Sequence, residues 1–204
     1  MKLFLATLLV FISGINHTLA QEMETLFDGD VTHGGFGGPM VKFDEIRDDL
    51  AVWVGGRGGW IVNLDPYHAI RLGGGGYGLV TNHSTDYADT ELDDPVAAGG
   101  YGGFVTEYTN RSYRLLHVTA TTLIGAGGLT LRERQMHEVD HDRDANAFFV
   151  IEPGVNLELN ITSFLRIAAG VNYRLTSGID LADYRDSEFS GLNANVIIKF
   201  GSFR

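Results

Sequence analysis

From Phe149 onward, apolar and polar residues alternate with a period of two. Phe149, Ile151, Pro153, Val155, Leu157 and Leu159 alternate with a polar or small set that includes Glu152, Gly154, Asn156, Glu158 and Asn160. The next run sets Leu165, Ile167, Ala169, Val171, Tyr173 and Leu175 against Arg166, Ala168, Gly170, Asn172 and Arg174. The last sets Leu192, Ala194, Val196, Ile198 and Phe200 against Gly191, Asn193, Asn195, Ile197 and Lys199. Side chains of a strand point alternately to its two faces, so each run is a strand with one oily and one polar face. Upstream, the same reading predicts strands at 33–44, 49–62, 67–82, 96–108 and 113–131, followed by 145–160, 164–176 and 188–200. That makes eight, with almost no helical pattern. Several exceed the ~5–6 residues usual in soluble sheets and reach the ~9–11 that a tilted membrane strand needs.

Alternation alone does not identify the solvent, because a soluble sandwich has the same period. Charge does. Glu152, Glu158, Arg166, Arg174 and Lys199 sit mid-strand on the polar face, beside many small residues. A closed barrel in a bilayer turns its apolar face to lipid, encloses such charges and leaves no sheet edge unpaired. Loop lengths point the same way. The connections at 63–66, 109–112 and 161–163 are short, those at 83–95, 132–144 and 177–187 are long, and only 45–48 breaks the alternation. Sorting of short turns to one end and long loops to the other is the asymmetry of an outer-membrane barrel. The long loops carry the acid: Asp86, Asp89, Glu91, Asp93 and Asp94, then Glu133, Glu138, Asp140, Asp142 and Asp144, then Asp180, Asp183 and Asp186. Inward basic groups Lys42, Arg57, Arg71, Arg166, Arg174 and Lys199 are set against Glu107, Glu152 and Glu158.

The N-terminus has Lys2, an apolar block over 3–15 and small residues ending at Ala20, the layout of a secretory signal peptide cut after Ala20. The chain therefore divides into a signal peptide (1–20), a periplasmic lead-in (21–32) and a barrel (33–204). The chain has no cysteine, so an exported fold has no disulfide framework and no thiolate site. A net charge of -11 argues against nucleic acid as a partner. With 27 glycines and only 4 prolines, the composition is not that of a disordered linker.

Across its mature length the chain resembles the small eight-stranded outer-membrane β-barrel family of Gram-negative bacteria. The signal peptide, the eight alternating strands and the ending from Asn193 to Phe203 carry the resemblance. That ending is similar to the family's C-terminal assembly signal, although Arg204 follows the aromatic. The resemblance implies an all-β, antiparallel, up-and-down transmembrane barrel in the outer membrane. It further implies outer-membrane lipids and lipopolysaccharide as surroundings, the barrel assembly machinery as a partner during insertion, and a monomer.

Eight strands enclose a lumen just wide enough to be filled by side chains. The expectation is a plugged, porin-like shell with a lumen charge network of Arg57, Arg71, Glu107, Glu152, Glu158, Arg166, Arg174 and Lys199. A turn centred on Thr162 would set Glu158 directly opposite Arg166 and Glu152 opposite Asn172. Glycines at 55, 56, 58, 59, 73–76, 99, 100, 102 and 103 would let the wall curve and make room for Trp53, Tyr77 and Tyr101 inside. Gly73, Gly75 and Gly78 match a dinucleotide fingerprint in letters only, since no helix pattern follows. Trp60, Phe104, Tyr108, Phe149, Tyr173 and Phe200 are expected to form an aromatic girdle at the headgroups.

Candidate chemistry is sparse. The stretch from His137 to Asp144 has carboxylates and two histidines but lacks the EF-hand spacing and glycine, so loose divalent bridging to lipopolysaccharide fits it better than a defined metal site. Ser84 beside His83, and His117 near Thr119, are the only hints of a nucleophile with a base, and His117 reads as a lumen histidine. No catalytic residue, metal site or cofactor is assigned. The function expected is structural or surface-interacting, through three acidic loops. The alternatives are a lipid-modifying enzyme of acyl hydrolase or acyltransferase type, and a narrow ion-conducting pore.

Overall fold

The computed structural model describes residues 32–85, 94–134 and 146–203. The expected signal peptide with its cut after Ala20 and most of the lead-in lie outside them, as does the histidine-containing stretch from His137 to Asp144. So do the loop acids Asp86, Asp89, Glu91 and Asp93. Eight long strands form the wall: β1 (Thr32–Ile46), β2 (Asp49–Asn63), β3 (His68–Leu79), β4 (Pro95–Asn110), β5 (Leu116–Glu133), β6 (Asn146–Asn160), β7 (Leu165–Ser177) and β10 (Gly191–Ser202). Each pairs antiparallel with its neighbours, and β1 pairs with β10 from Gly35↔Ser202 to Phe43↔Ala194, closing the barrel. Closure leaves no strand edge, so the backbone donors and acceptors of the wall are used within it.

Alternation decides which way each side chain points. On β10, Leu192, Ala194, Val196, Ile198 and Phe200 are exposed, while Asn193, Asn195, Ile197 and Lys199 are buried. β6 and β7 do the same: Val155, Leu157 and Val171 face outward, and Glu152, Glu158, Arg166 and Arg174 face the lumen. Exterior oil around an ionic interior inverts the arrangement of a water-soluble domain.

Several strand boundaries differ from the expectation, and β5 begins at Leu116 rather than Tyr113. Strand β3 stops at Leu79 rather than at Asn82. The last strand begins at Gly191 rather than Glu188, because the segment before it folds on its own. There β8 (Asp180–Leu181) pairs with β9 (Tyr184–Arg185), and a single helical turn, α1 (Asp186–Phe189), follows. Asp186 ties this segment together, accepting from the backbone N–H of Ile179 at 2.8 Å and of Gly178 at 3.2 Å. Ile179, Tyr184 and Phe189 are buried with Trp53, Tyr101 and Leu129 in one cluster. The segment is therefore a lid over one end of the barrel and not a free acidic loop.

The glycines concentrate on β1 to β5. Gly59 and Gly73 are directly paired, and a Cβ built on Gly73 would lie 2.0 Å from the Gly58 carbonyl oxygen and 2.5 Å from Gly59 Cα. Backbone meets backbone there. Gly75 faces inward: its Cβ would sit 3.0 Å from Arg57 Cβ and 3.1 Å from the Tyr77 hydroxyl, so its missing side chain is the room those groups occupy. Trp53, Tyr77 and Tyr101 are all buried inside.

Gly73→Val pushes β2 and β3 apart, and the expected cost is about 1–3 kcal/mol of overpacking strain. Urea unfolding of the barrel in lipid vesicles measures it. Valine at Gly78, where a Cβ meets no atom within 4 Å, is the control that leaves the midpoint unchanged.

Candidate functional site

The interior divides into two charged groups. One lies toward the end that carries the short turns at 64–67, 111–115 and 161–164, here the turn end. The other lies toward the lid, the loop end.

At the turn end Glu158 is the centre. The Arg71 guanidinium binds it with two nitrogens, Nη1 to Oε2 and Nη2 to Oε1, each at 2.9 Å. Lys199 Nζ donates to its Oε2 at 2.8 Å and Arg166 Nη1 to its Oε1 at 3.0 Å. Glu107 takes the remaining valences: Lys199 at 2.8 Å, Arg71 at 3.0 Å and Arg57 Nε at 2.9 Å. His117 Nδ1 donates to the Arg114 carbonyl at 3.1 Å, and its Nε2 lies 3.3 Å from Glu158. All these side chains are buried. Forked guanidinium contacts to a carboxylate are the strong form of ion pair, and for side chains this deeply buried each partner is needed by the other.

At the loop end Lys42 pairs with Glu152 and donates to the Tyr101 hydroxyl at 3.0 Å, while Tyr101 donates to Glu152 Oε2 at 2.6 Å. Arg174 pairs with Asp44 at 2.5 Å, and Trp53 Nε1 donates to the same carboxylate at 3.0 Å. Arg174 Nε also donates to the Phe189 carbonyl at 2.6 Å, tying the lid to the charges beneath it.

The cross-strand geometry corrects the expected register. The β6–β7 turn is centred one residue later, on Ser163, so that Asn160 pairs with Arg166 and Glu158 with Ala168. The Thr162 hydroxyl accepts from the N–H groups of Phe164 and Leu165, and this lengthens the turn. Glu158 and Arg166 still meet, by a diagonal reach. Glu152 receives a hydrogen bond from Asn172 at 3.1 Å, although Asn172 pairs in register with Gly154. Sequence reasoning missed Asp44, which the expected boundary placed at the end of its strand. It shares the inward face of Lys42, two residues away, and that periodicity was the available signal.

Trp60, Phe104, Tyr108, Phe149, Tyr173 and Phe200 are all exposed on the outer face. Phe104 lies mid-strand, between Gly74 and Ile124, rather than near an end. Tyr108 stacks on His68, and Trp60 on His33.

The loop end is fastened by polar contacts. Tyr184 donates its hydroxyl to the carbonyls of His83 and Ser84 at 2.8 and 3.0 Å. Arg47, in the β1–β2 turn, pairs with Asp183 and Glu188, each at 2.8 Å. Burial pushes the Tyr184 hydroxyl up to about 12. Burial also lowers His83, against the opposing fields of Asp49 and Asp44. Asp183 is held below the usual carboxylate value: burial acts to raise it, but hydrogen bonds from Arg47 and Thr85 outweigh that. The His83 ring contacts Thr81 at 2.9 Å, and Ser84 Oγ accepts from Arg134 Nη2 at 2.5 Å. His117 and Thr119 face the lumen. Both rings are buried, His83 against the Thr81 hydroxyl and His117 inside the lumen, while on the outer face the Tyr108 hydroxyl contacts His68 Nδ1 at 2.6 Å.

No protein-family model matches the chain, and no curated protein matches its sequence. Among solved structures it is similar to the crystal structure of Ail, the attachment invasion locus protein of Yersinia pestis. The TM-score is 0.52 at 10% identity, over 83% of this chain and 97% of that one. The likeness is one of fold: this chain has the architecture of the small eight-stranded outer-membrane barrels.

Glu158→Gln leaves three cations facing a neutral amide and is expected to cost about 3–5 kcal/mol, read by urea unfolding in vesicles. The lid responds to pH with a definite sign. His83 has a lowered folded value, so its contribution is complete above the free-histidine value of ~6.5 and is lost as pH falls below it. Asp183, held below its unfolded value, contributes above that value and loses its contribution as pH falls through the folded one. The protection factors of the Ile179 and Tyr184 amides, taken relative to the slower intrinsic exchange in acid, should therefore fall as pH is lowered, while the wall amides stay protected.

Proposed function

We propose that the protein resides in the outer membrane of a Gram-negative bacterium as a closed shell that acts at the cell surface through its loop end. The observation that carries this reading is the inversion of polarity. Every wall strand presents apolar side chains outward and encloses polar ones. In this reading the turn end faces the periplasm and the lid faces outside, so the 86–93 and 135–145 segments are surface loops with the acid they carry. Their partners are basic or cation-bridged surfaces, lipopolysaccharide with divalent cations among them, and the chain works as a monomer surrounded by outer-membrane lipid after insertion by the barrel assembly machinery.

Two features support the closed interior over a pore. The loop-end charges Lys42, Glu152, Asp44 and Arg174 pair one to one, and the segment from Gly178 to Ser190 packs Ile179, Tyr184 and Phe189 into the mouth. The placement of His83, Ser84 and His117 supports a non-enzymatic role over lipid modification. The name of the similar Yersinia structure, an attachment and invasion protein, is in keeping with a surface role.

The test is adhesion and conductance together. Cells displaying the protein should be retained on a cationic surface, and retention should fall when Asp89, Glu91, Asp93, Asp140 and Asp142 are changed to their amides. Purified protein in a planar bilayer should give no steady channel. Stable single-channel steps at neutral pH, or retention indifferent to the loop acids, would overturn the reading.

A further inference from the structure

The interior charges do not balance. Among the described residues the lumen holds six cations, Lys42, Arg57, Arg71, Arg166, Arg174 and Lys199, and four carboxylates, Asp44, Glu107, Glu152 and Glu158. The loop-end group is neutral, since Lys42 and Arg174 meet Glu152 and Asp44. The whole surplus lies at the turn end, where Arg57, Arg71, Arg166 and Lys199 share only Glu107 and Glu158. Several of these donors are unused: Arg57 Nη2, Arg71 Nε and Arg166 Nε are buried without a hydrogen-bond acceptor. Buried guanidinium donors left unsatisfied are costly, and two uncompensated charges in a narrow lumen repel each other strongly.

Directly beside this surplus is a cavity of about 770 Å³ that opens at the turn end. Arg166 lines it, with its side chain only 6% exposed and its guanidinium stacked 3.9 Å over the Phe203 ring. Around them stand hydroxyls of Thr32, Ser112, Tyr113, Thr162 and Ser163 and amides of Asn63 and Asn160. Among the described residues Asp65 is the one carboxylate in the lining, and its Oδ1 accepts from the N–H groups of Tyr67 and His68 at 2.6 and 2.8 Å within its own turn.

We propose that this cavity is a binding site for a small oxyanion, of the phosphate or carboxylate class, held by Arg166 and offsetting the cationic surplus behind it. A planar guanidinium already stacked on an aromatic ring is preorganised for such a group, and the hydroxyls of the lining supply further neutral donors, while the Asn63 and Asn160 amides already donate to the carbonyls of Thr32, Ser112 and Arg114. The cavity is larger than one inorganic anion, so it also has room for an oxyanion carried on a polar organic body. The site is independent of any role of the loops at the opposite end.

Titration of the barrel in detergent micelles with inorganic phosphate, glycerol phosphate and acetate, followed by the Arg166 side-chain N–H resonance and by calorimetry, tests it. The expected result is saturable one-to-one binding with a shift at Arg166. Stronger binding of glycerol phosphate than of inorganic phosphate identifies an organic ester as the ligand, equal binding identifies the free anion, and preference for acetate identifies the carboxylate class. Arg166→Gln should weaken binding at least about tenfold. Because that variant also disturbs Glu158, Ser163→Glu is the second arm: it adds a negative charge on an exposed turn residue at the rim, leaves the network intact and should abolish binding. Absence of saturable binding by all three probes, or binding unchanged in Ser163→Glu, overturns the proposal.

Discussion

Glu158 is the constraint on which the interior turns. Three cations from three strands, Arg71 on β3, Arg166 on β7 and Lys199 on β10, converge on one carboxylate that is wholly buried. No local segment could bring them together, since their positions span more than half the chain. Only closing the sheet into a cylinder sets opposite walls within a side chain's reach, and only ionic partners make it tolerable to enclose that many charges. The network is thus a consequence of closure and also one of its fastenings, because it braces walls that share no backbone hydrogen bonds.

Glycine makes that reach possible. The paired glycines of β2 and β3 let their backbones approach more closely than any Cβ would allow, and the inward Gly75 leaves its volume to Arg57 and Tyr77. The glycine-rich wall therefore donates space, which its own Arg57 and Tyr77 fill together with long polar side chains from the opposite wall. The aromatic groups Trp53, Tyr77 and Tyr101 occupy the same interior and carry cations against their faces: Lys42 Nζ lies 3.7 Å from the Tyr77 ring centre and Arg174 4.7 Å from that of Trp53. A cation held this way keeps some of its electrostatic stabilisation without a second carboxylate.

The two ends are built differently. At the loop end, charges are matched one to one and covered by a lid whose apolar residues join the core. At the turn end, cations outnumber carboxylates among the described residues, and a cavity reaches one of them, Arg166. A barrel whose charges merely filled space would gain nothing from this asymmetry, which gives the two mouths different chemical characters.

The period-two pattern determined the fold class, the number of wall strands and the facing of nearly every residue in them, because in a strand facing depends on parity alone. It also identified Arg57, Arg71, Glu107, Glu152, Glu158, Arg166, Arg174 and Lys199 as a common inward set. Who meets whom was decided by tertiary structure. Arg174 pairs with Asp44 and Lys42 with Glu152, because partners across a lumen depend on shear and closure, which parity does not encode. The lid was illegible for a related reason: Asp183 looks like part of a solvated acidic loop until Arg47, far off in sequence, pairs with it and with Glu188, while Asp186 turns inward on the N–H groups of Gly178 and Ile179.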